Sequence, residues 1–262
     1  MTKTTQPNVV PASSKFGRTL KALHFSLKYP RLTLQQVKET IKHIYAHGIL
    51  KTSQVKSLNV FELIDPKTEA ILSNFQLKEG NVSYYELLII SSLVAFHKPK
   101  VVLEIGTFNG NTTLQMALNA PKEAIIHTLD LPPFEVTTKE PILKSDLPFV
   151  FEKEKKVRKY IKSQIEHKIK QYLGDSTAYN FKLFTKEGLP EFVFIDGGHS
   201  YECVKSDTKK ALEILAPGGI IIWHDFIPHY EGIYRYLHEL SQELPLVHIK
   251  GTSLAYYRKE TI

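Results

Sequence analysis

The sequence predicts an α/β domain: a doubly wound, mostly parallel sheet of seven strands with an antiparallel last strand, preceded by a helical N-terminal extension. Three observations predict it. From Lys100 onward, short apolar runs recur as "KVVLEIG", "AIIHTLDL", "IKQYLGD", "FVFIDG", "GIIIWHD", "LVHIK" and "SLAYYRK", and such continuous runs suit strands covered on both faces. Helical stretches alternate with the earlier runs, which is the pattern of a parallel sheet joined by crossover helices. The last two runs are separated only by "GT", too short for a crossover, so they form an antiparallel hairpin at the sheet edge.

Taken in chain order, residues 1–30 mix Pro, Ser, Thr and Lys without periodicity and read as a loosely ordered basic start. Residues 31–80 read as a helical accessory segment, in which "LTLQQVKETIKHIYAHG" places Leu34, Val37, Ile41, Ile44 and Tyr45 on one face and stops at Gly48. The main domain spans residues 81–262. It opens with the helix "SYYELLIISSLVAFHKP", started by Ser83 with Glu86 three residues on as a capping box and closed before Pro99. Residues 132–168 are long for one crossover and include the charged run "EKEKKVRKYIKSQIEHK"; they read as a lid or substrate insertion, a helix plus a loop over the site.

At 262 residues with 42% hydrophobic content, the chain can bury a sizeable core. One cysteine, Cys203, excludes an intramolecular disulfide and a paired-cysteine zinc site. The longest apolar stretches, such as "LLIISSLVAF", are about half the ~20 residues of a membrane span. A soluble cytoplasmic protein is expected. Residues 1–60 hold ten Lys/Arg against one acid, Glu39, and so carry +9 of an overall +7, leaving the rest at −2. Such an arm can meet anionic lipid, nucleic acid or an acidic substrate, or be a solvated surface. Peripheral membrane contact through the arm and homo-oligomerisation are compatible with this composition.

The stretch "VVLEIGTFNGNTTLQMAL" is a buried strand, a turn with Gly106 and Gly110, and a helix starting near Asn111 or Thr112. Glycine lets the backbone approach a ligand, and a helix N-terminus presents unpaired N–H groups. A Walker loop is excluded because no Gly-Lys-Ser/Thr follows; a dinucleotide loop would show a second glycine two residues after the first. Asp130 ends the second strand, 24 residues after Gly106, where an acid accepts both ribose hydroxyls of a nucleoside. "GDS" at 174–176 ends the next strand, and Asp175 there is placed to accept from an adenine amino group. Glu104, Asp130 and Asp175 at successive strand ends describe a nucleoside pocket that favours a cationic ligand.

These elements resemble the class I S-adenosylmethionine-dependent methyltransferases, over roughly residues 80–258. "EIGTFNGNTT" resembles the family's glycine loop, "HTLDL" its ribose-binding acid, "GDS" its adenine corner and "LAPGGIIIWHD" its turn into the fifth strand. The resemblance implies a Rossmann-like methyltransferase fold with S-adenosylmethionine held by Glu104, Gly106, Thr107, Asn109, Gly110, Asp130, Asp175 and Ser176. The block "FIDGGHSYECVKSD" is similar to the metal-dependent small-molecule O-methyltransferases of the catechol and macrolide-sugar types, which implies a hydroxyl on a small molecule as methyl acceptor.

Asp196 ends the fourth strand and Asp225 the fifth, so both open onto one crevice. With no Lys or Arg in "FVFIDG" or "GIIIWHD", the two carboxylates call for a cation, and a hard divalent ion suits them. His224 and Asp225 follow Asp196 by 28 and 29 residues, a spacing that resembles the catechol-type metal triad and implies Asp196, His224 and Asp225 as ligands of Mg²⁺. An imidazole in that set shifts the preference toward Mn²⁺, Fe²⁺ or other borderline ions. His199, three residues past Asp196, is placed to act beside it as the general base, the role implied for the matching histidine in the macrolide-sugar enzymes; its alternative is to cap the next helix or orient Asp196. Asp207 reads as a solvated or helix-pairing residue, Tyr201 as pocket wall or core, Trp223 as packing and Cys203 as buried.

Two other readings compete. A nucleic-acid methyltransferase would use the basic arm, yet amino-methylating enzymes of that class carry an Asn/Asp-Pro-Pro-aromatic stretch after the fourth strand, where this chain has "DGGHSY". A non-catalytic cofactor-binding domain would have to keep a costly cluster of carboxylates at the strand ends without a ligand.

Overall fold

A computed structural model describes residues 55–152 and 158–261. The N-terminal arm and the helix expected at 34–48 lie outside the described residues, as does any membrane contact of that arm. Among the described residues the sheet has eight strands, β1 (Lys56–Leu58), β2 (Val101–Ile105), β3 (Ile125–Asp130), β4 (Ile169–Leu173), β5 (Phe192–Ile195), β6 (Ile220–Trp223), β7 (Val247–Ile249) and β8 (Ala255–Arg258). Their spatial order is β1-β7-β8-β6-β5-β2-β3-β4. Every pair is parallel except those of β8 with β6 and β7.

The helices that accompany this sheet are α1 (Tyr84–His97), α2 (Asn111–Asn119), α3 (Leu147–Glu152), α4 (Tyr201–Ile214) and α5 (Glu231–Leu240). The central strands show why their sequences lack polar alternation. Val102, Phe192, Phe194, Ile220 and Ile222 pack with Leu87, Ile90 and Leu93 of α1 and Met116 of α2 on one face. Leu103, Ile105, Val193, Ile195, Ile221 and Trp223 pack with Val204 and Ile214 of α4 and Leu237 of α5 on the other. Successive side chains alternate between two buried faces, so β5 and β6 are apolar throughout and β2 is apolar except at Glu104. Trp223 is fully buried and its indole N–H donates to Thr208 Oγ1 at 2.8 Å, in the packing role expected of it.

Three expectations need correction. The sheet has an eighth strand: residues 56–58, assigned to the helical accessory segment 31–80, form β1 and pair in parallel with β7. Three residues, "KSL", are too short to show periodicity. The final hairpin exists, but its turn is residues 250–254, and β7 is flanked by β1, so the hairpin is not the edge. A side-chain hydroxyl, rather than "GT" alone, shapes the turn: Thr252 Oγ1 donates to the Ile249 carbonyl and accepts from Leu254 N–H. In the 132–168 insertion the helix, α3, precedes most of the charged run, and residues 158–168 form turns that end in a 3-10 turn at Glu166–Lys168.

The chain runs from β2 outward to β3 and β4 on one side and to β5 and β6 on the other. The adjacent ends of β2 and β5 are therefore the topological switch point, where open α/β sheets place their ligands.

Candidate active site

The crevice holds a cavity of about 170 Å³ over the carboxyl ends of β2, β3, β5 and β6. Gly106, Thr107, Phe108, Asn111 and Thr112 line one side; Asp196, His199, His224 and Asp225 line the other. The insertion closes it with Ile142, Asp146, Phe149 and Val150, and Gly80 and Asn81 add a wall from before α1.

The glycine loop is built by close approach. Gly106 has φ +94, and a Cβ there would lie 1.9 Å from the Asp196 carbonyl oxygen, so only glycine lets β2 and β5 end side by side. Gly110, at φ +73, caps α2, and a Cβ on it would meet the Tyr160 ring at 2.7 Å. Neither Gly110 nor Asn109 lines the cavity; Asn109 is buried and its Oδ1 accepts from Asn111 N–H at 3.1 Å.

Glu104 lies below the cavity rather than in it. It is fully buried and accepts from Thr113 Oγ1 and Thr128 Oγ1, both at 2.5 Å. Burial pushes its carboxyl up to about 8, against the opposing effect of the two hydroxyls. Thr107 Oγ1 sits 2.6 Å from Thr128 Oγ1, joining the glycine loop to this network.

Asp130 lines the cavity and is paired: Arg158 Nη2 donates to its Oδ2 at 3.0 Å. Asp175 also lines it, but Lys139 N–H, Thr177 N–H and Thr177 Oγ1 donate to its carboxylate. Burial would raise its pKa; these donors outweigh burial and lower it. Asp175 thus ties the insertion to the β4 corner. Ser176 is turned away from the cavity toward Asp207, with Oγ donating to Oδ2 at 3.0 Å. Asp207, expected as a solvated residue, is fully buried on α4, and burial pushes its carboxyl up to about 7. A single polar residue on an otherwise amphipathic helix gives no sequence signal that it faces inward.

The acid and histidine half is a chain of contacts. Asp196 Oδ1 is 3.0 Å from His224 Nδ1; His224 Nδ1 is 3.2 Å from Asp225 Oδ2; His224 Nε2 is 3.4 Å from Glu86 Oε2. Burial would lower the His224 pKa, but Asp225, Asp196 and Glu86 together raise it well above the ordinary imidazole value. His199 Nδ1 is 2.8 Å from Asp146 Oδ1 and its Nε2 is 3.1 Å from Asp225 Oδ2. Its ring stacks on Tyr230 with centroids 4.6 Å apart. Burial again opposes, and the two carboxylates win, raising His199 to about 10. Asp225 holds φ +59, a conformation of the kind that collects at functional sites for a non-glycine residue.

His199 stands beside the ligand set expected from spacing. Among the described residues, the ligand atoms of Asp196, His199 and Asp225 lie within 4.8 Å of one another and form a group able to hold a metal ion. His224, the expected third ligand, faces Asp196 and Asp225 through Nδ1 and Glu86 through Nε2, as His199 faces Asp146 and Asp225. Tyr201 does not reach the cavity lining; its hydroxyl donates to Glu239 Oε2 at 2.5 Å. Cys203 does line the cavity, and burial raises its thiol to about 11, leaving it protonated.

Sequence reasoning missed Asp146, Arg158 and Asn111, and read Glu86 only as a helix cap. Glu86 does complete the capping box with Ser83, and it also accepts from Ser253 N–H and Oγ at 2.7 Å. Asp146 and Arg158 belong to a segment without a motif, and only the fold brings them to β3 and α4.

The strand order and the crevice at its switch point define a Rossmann-like methyltransferase fold. Residues 103–226 match the family model described as a methyltransferase domain. Over that span the chain is similar to a methyltransferase domain. It resembles TomG, an O-methyltransferase from Streptomyces achromogenes involved in tomaymycin synthesis, solved with SAM: TM-score 0.52, 16% identity, covering 71% of this chain and 84% of that one. Cofactor-bound Rv0187 from MTB gives a TM-score of 0.52 and 16% identity over 71% of this chain and 85% of that one. The SAH-bound methyltransferase PaMTH1 of Podospora anserina gives 0.52 and 13% identity over 98% and 100%. At such identities these structures speak for the fold. No curated protein matches the sequence.

Proposed function

We propose that the chain transfers the methyl group of S-adenosylmethionine to a hydroxyl of a small molecule, with His199 accepting the hydroxyl proton at Nε2. One observation carries this reading: His199, held between Asp146 and Asp225, faces the same cavity as Gly106 and Asp130. The cofactor fits the residues present, because the α2 N-terminus at Asn111 and Thr112 and the Asp130 carboxyl open onto one cavity. The cofactor supplies an electrophilic methyl on a sulfonium. Asp146 fixes the imidazole through Nδ1, so that Nε2 is the nitrogen presented with Asp225. At about 10, His199 is protonated in neutral solution, and a base must first be neutral. Positive charge in the cavity, as from a sulfonium, favours loss of that proton. The apolar lid of Ile142, Phe149 and Val150 keeps water from the methyl group.

A second reading is supported by the clustering of Asp196, His199 and Asp225. These three residues would hold a divalent cation, with His199 as a ligand rather than a base and a nitrogen donor favouring Mn²⁺ or Fe²⁺ over Mg²⁺. Bound there, such an ion lowers the pKa of a coordinated hydroxyl. The acceptor is a small molecule in either case, and no helix among the described residues is long and apolar enough to cross a membrane.

The test is release of S-adenosylhomocysteine across a panel of hydroxylated small molecules, with and without chelator. His199→Gln should cut turnover by roughly 10²–10⁴ in the presence of chelator if His199 is the base. Activity abolished by chelator and restored by Mn²⁺ selects the second reading. A folded protein that binds neither S-adenosylmethionine nor its product refutes both.

A further inference from the structure

Glu86 has two sets of partners, and the capping box explains only one of them. Its Oε2 accepts from Ser83 N–H at 3.1 Å and from Ser83 Oγ at 2.7 Å, the pairing that starts α1. That task needs one oxygen and leaves a glutamate free to stay in water, yet Glu86 is 2% exposed. Its Oε1 accepts from Ser253 N–H and Ser253 Oγ, both at 2.7 Å, in the turn between β7 and β8. His224 Nε2 lies 3.4 Å from Oε2. One buried carboxylate therefore joins the start of α1, the end of β6 and the turn before β8, and its donors offset the cost of burying it.

The segments that Glu86 joins lie on either side of Asp225. Asp225 has φ +59, a left-handed backbone that strains a residue with a Cβ and persists only where its surroundings over-determine it. On its N-terminal side, His224 N–H donates to the Ile195 carbonyl at 3.1 Å and the His224 ring is turned to Glu86. On its C-terminal side, Phe226 N–H donates to the Ser253 carbonyl at 2.8 Å, and Ser253 is the residue that Glu86 Oε1 holds. Glu86 thus grips both neighbours of the strained residue, one through its ring and the other through Ser253. The turn held in this way brings Asp225 Oδ2 to 3.1 Å from His199 Nε2. Glu86 does not line the cavity, so it reaches the site only through this turn.

We infer that Glu86 is a positioning residue of the active site, holding residues 224–226 and with them the backbone that aims Asp225 at His199. The inference rests on the proposed function, in which Asp225 and His199 act together whether as orienter and base or as metal ligands, and it goes beyond that reading by giving the pair its anchor.

The competing role is helix capping alone, and two substitutions separate the roles. Glu86→Gln keeps the size of the side chain and one oxygen, but its amide nitrogen must face the donors of Ser83 or those of Ser253, so it cannot hold both. Ser83→Ala removes half of the capping box and leaves the contacts with Ser253 and His224 in place. Nitrogen-15 spectra of the full chain in chelator, with the His199 ring signals assigned through His199→Gln, read the hydrogen bond at Nε2. Glu86→Gln should shift that signal and leave S-adenosylhomocysteine affinity unchanged by calorimetry. On whichever hydroxylated compound the parent methylates, it should lower kcat by roughly 10²-fold, the scale of a misplaced catalytic group, at unchanged KM for the cofactor. Ser83→Ala should lower the melting temperature with neither effect. Ser253→Ala, which removes one of the two donors to Oε1, should move the signal in the same direction by less, and it serves as the test where Glu86→Gln does not fold. An unmoved His199 signal in the folded variant, or an equal shift in Ser83→Ala, overturns the inference and leaves the function intact. A parent protein that binds neither S-adenosylmethionine nor its product overturns both.

Discussion

Replacing Glu104 with Gln should change how stability depends on pH while leaving cofactor binding nearly intact. The sequence places Glu104 among the cofactor ligands; the structure buries it fully beneath the glycine loop, where it accepts from Thr113 and Thr128. Its carboxyl stands at about 8, against 4.5 for the ordinary group. A raised carboxyl pKa means that the folded protein holds the proton more tightly than the unfolded chain. Its contribution is therefore fully present below about pH 4.5 and is lost as pH rises toward 8, beyond which the loss is constant. A tenfold difference in proton affinity is worth about 1.4 kcal/mol, so the whole effect is on the order of a few kcal/mol. Gln keeps an oxygen for the two hydroxyls and has no proton to lose. Urea unfolding across the range from mildly acidic to mildly alkaline pH should show the parent losing stability relative to Glu104→Gln by that amount. Asp207, raised to about 7, adds its own slope to both proteins and cancels in the difference. Parallel stability profiles, or a variant that loses S-adenosylhomocysteine affinity by more than the roughly tenfold worth of one hydrogen bond, would refute the placement of Glu104 as a buried structural acid.

Two other substitutions test the cavity. Arg158→Gln should tighten S-adenosylhomocysteine binding several-fold, because a ribose approaching Asp130 no longer displaces the guanidinium at 3.0 Å; weaker binding measured by calorimetry would make Arg158 part of the cofactor site. Gly106→Ala should destabilise the fold by at least ~2 kcal/mol and lower the melting temperature, since its Cβ would fall 1.9 Å from the Asp196 carbonyl oxygen at a backbone φ of +94; an unchanged melting temperature would contradict that approach of β2 to β5.

What was legible in the sequence follows from range. Strands buried on both faces announce themselves as apolar runs, so β2, β3, β5, β6 and the reversed β8 could be read directly, and strand ends at Asp130, Asp196 and Asp225 placed the crevice. β1 escaped because three residues carry no period, and its partner β7 lies far along the chain, with Lys56 paired to Val247. Spacing also placed His224 next to Asp225 without showing which way its ring turns. Successive residues leaving a strand point to opposite sides, and Glu86 from α1 receives one of them. The rest of the site depends on the insertion: Asp146 reaches His199 and Arg158 reaches Asp130, across 53 and 28 residues of chain. No local pattern encodes contacts of that reach.

The charges of the site also explain why two histidines accompany so many acids. Glu86, Asp146, Asp196 and Asp225 meet at His199 and His224, and these carboxyl groups raise both imidazoles above the ordinary value, His199 to about 10. Four acidic side chains set against two imidazoles leave the acids in excess around the cavity. Burying such an excess is costly unless a cation joins it. A sulfonium supplies one positive charge and a divalent ion two, so the same imbalance supports both readings of the chemistry and disfavours an anionic ligand beside Asp196 and Asp225.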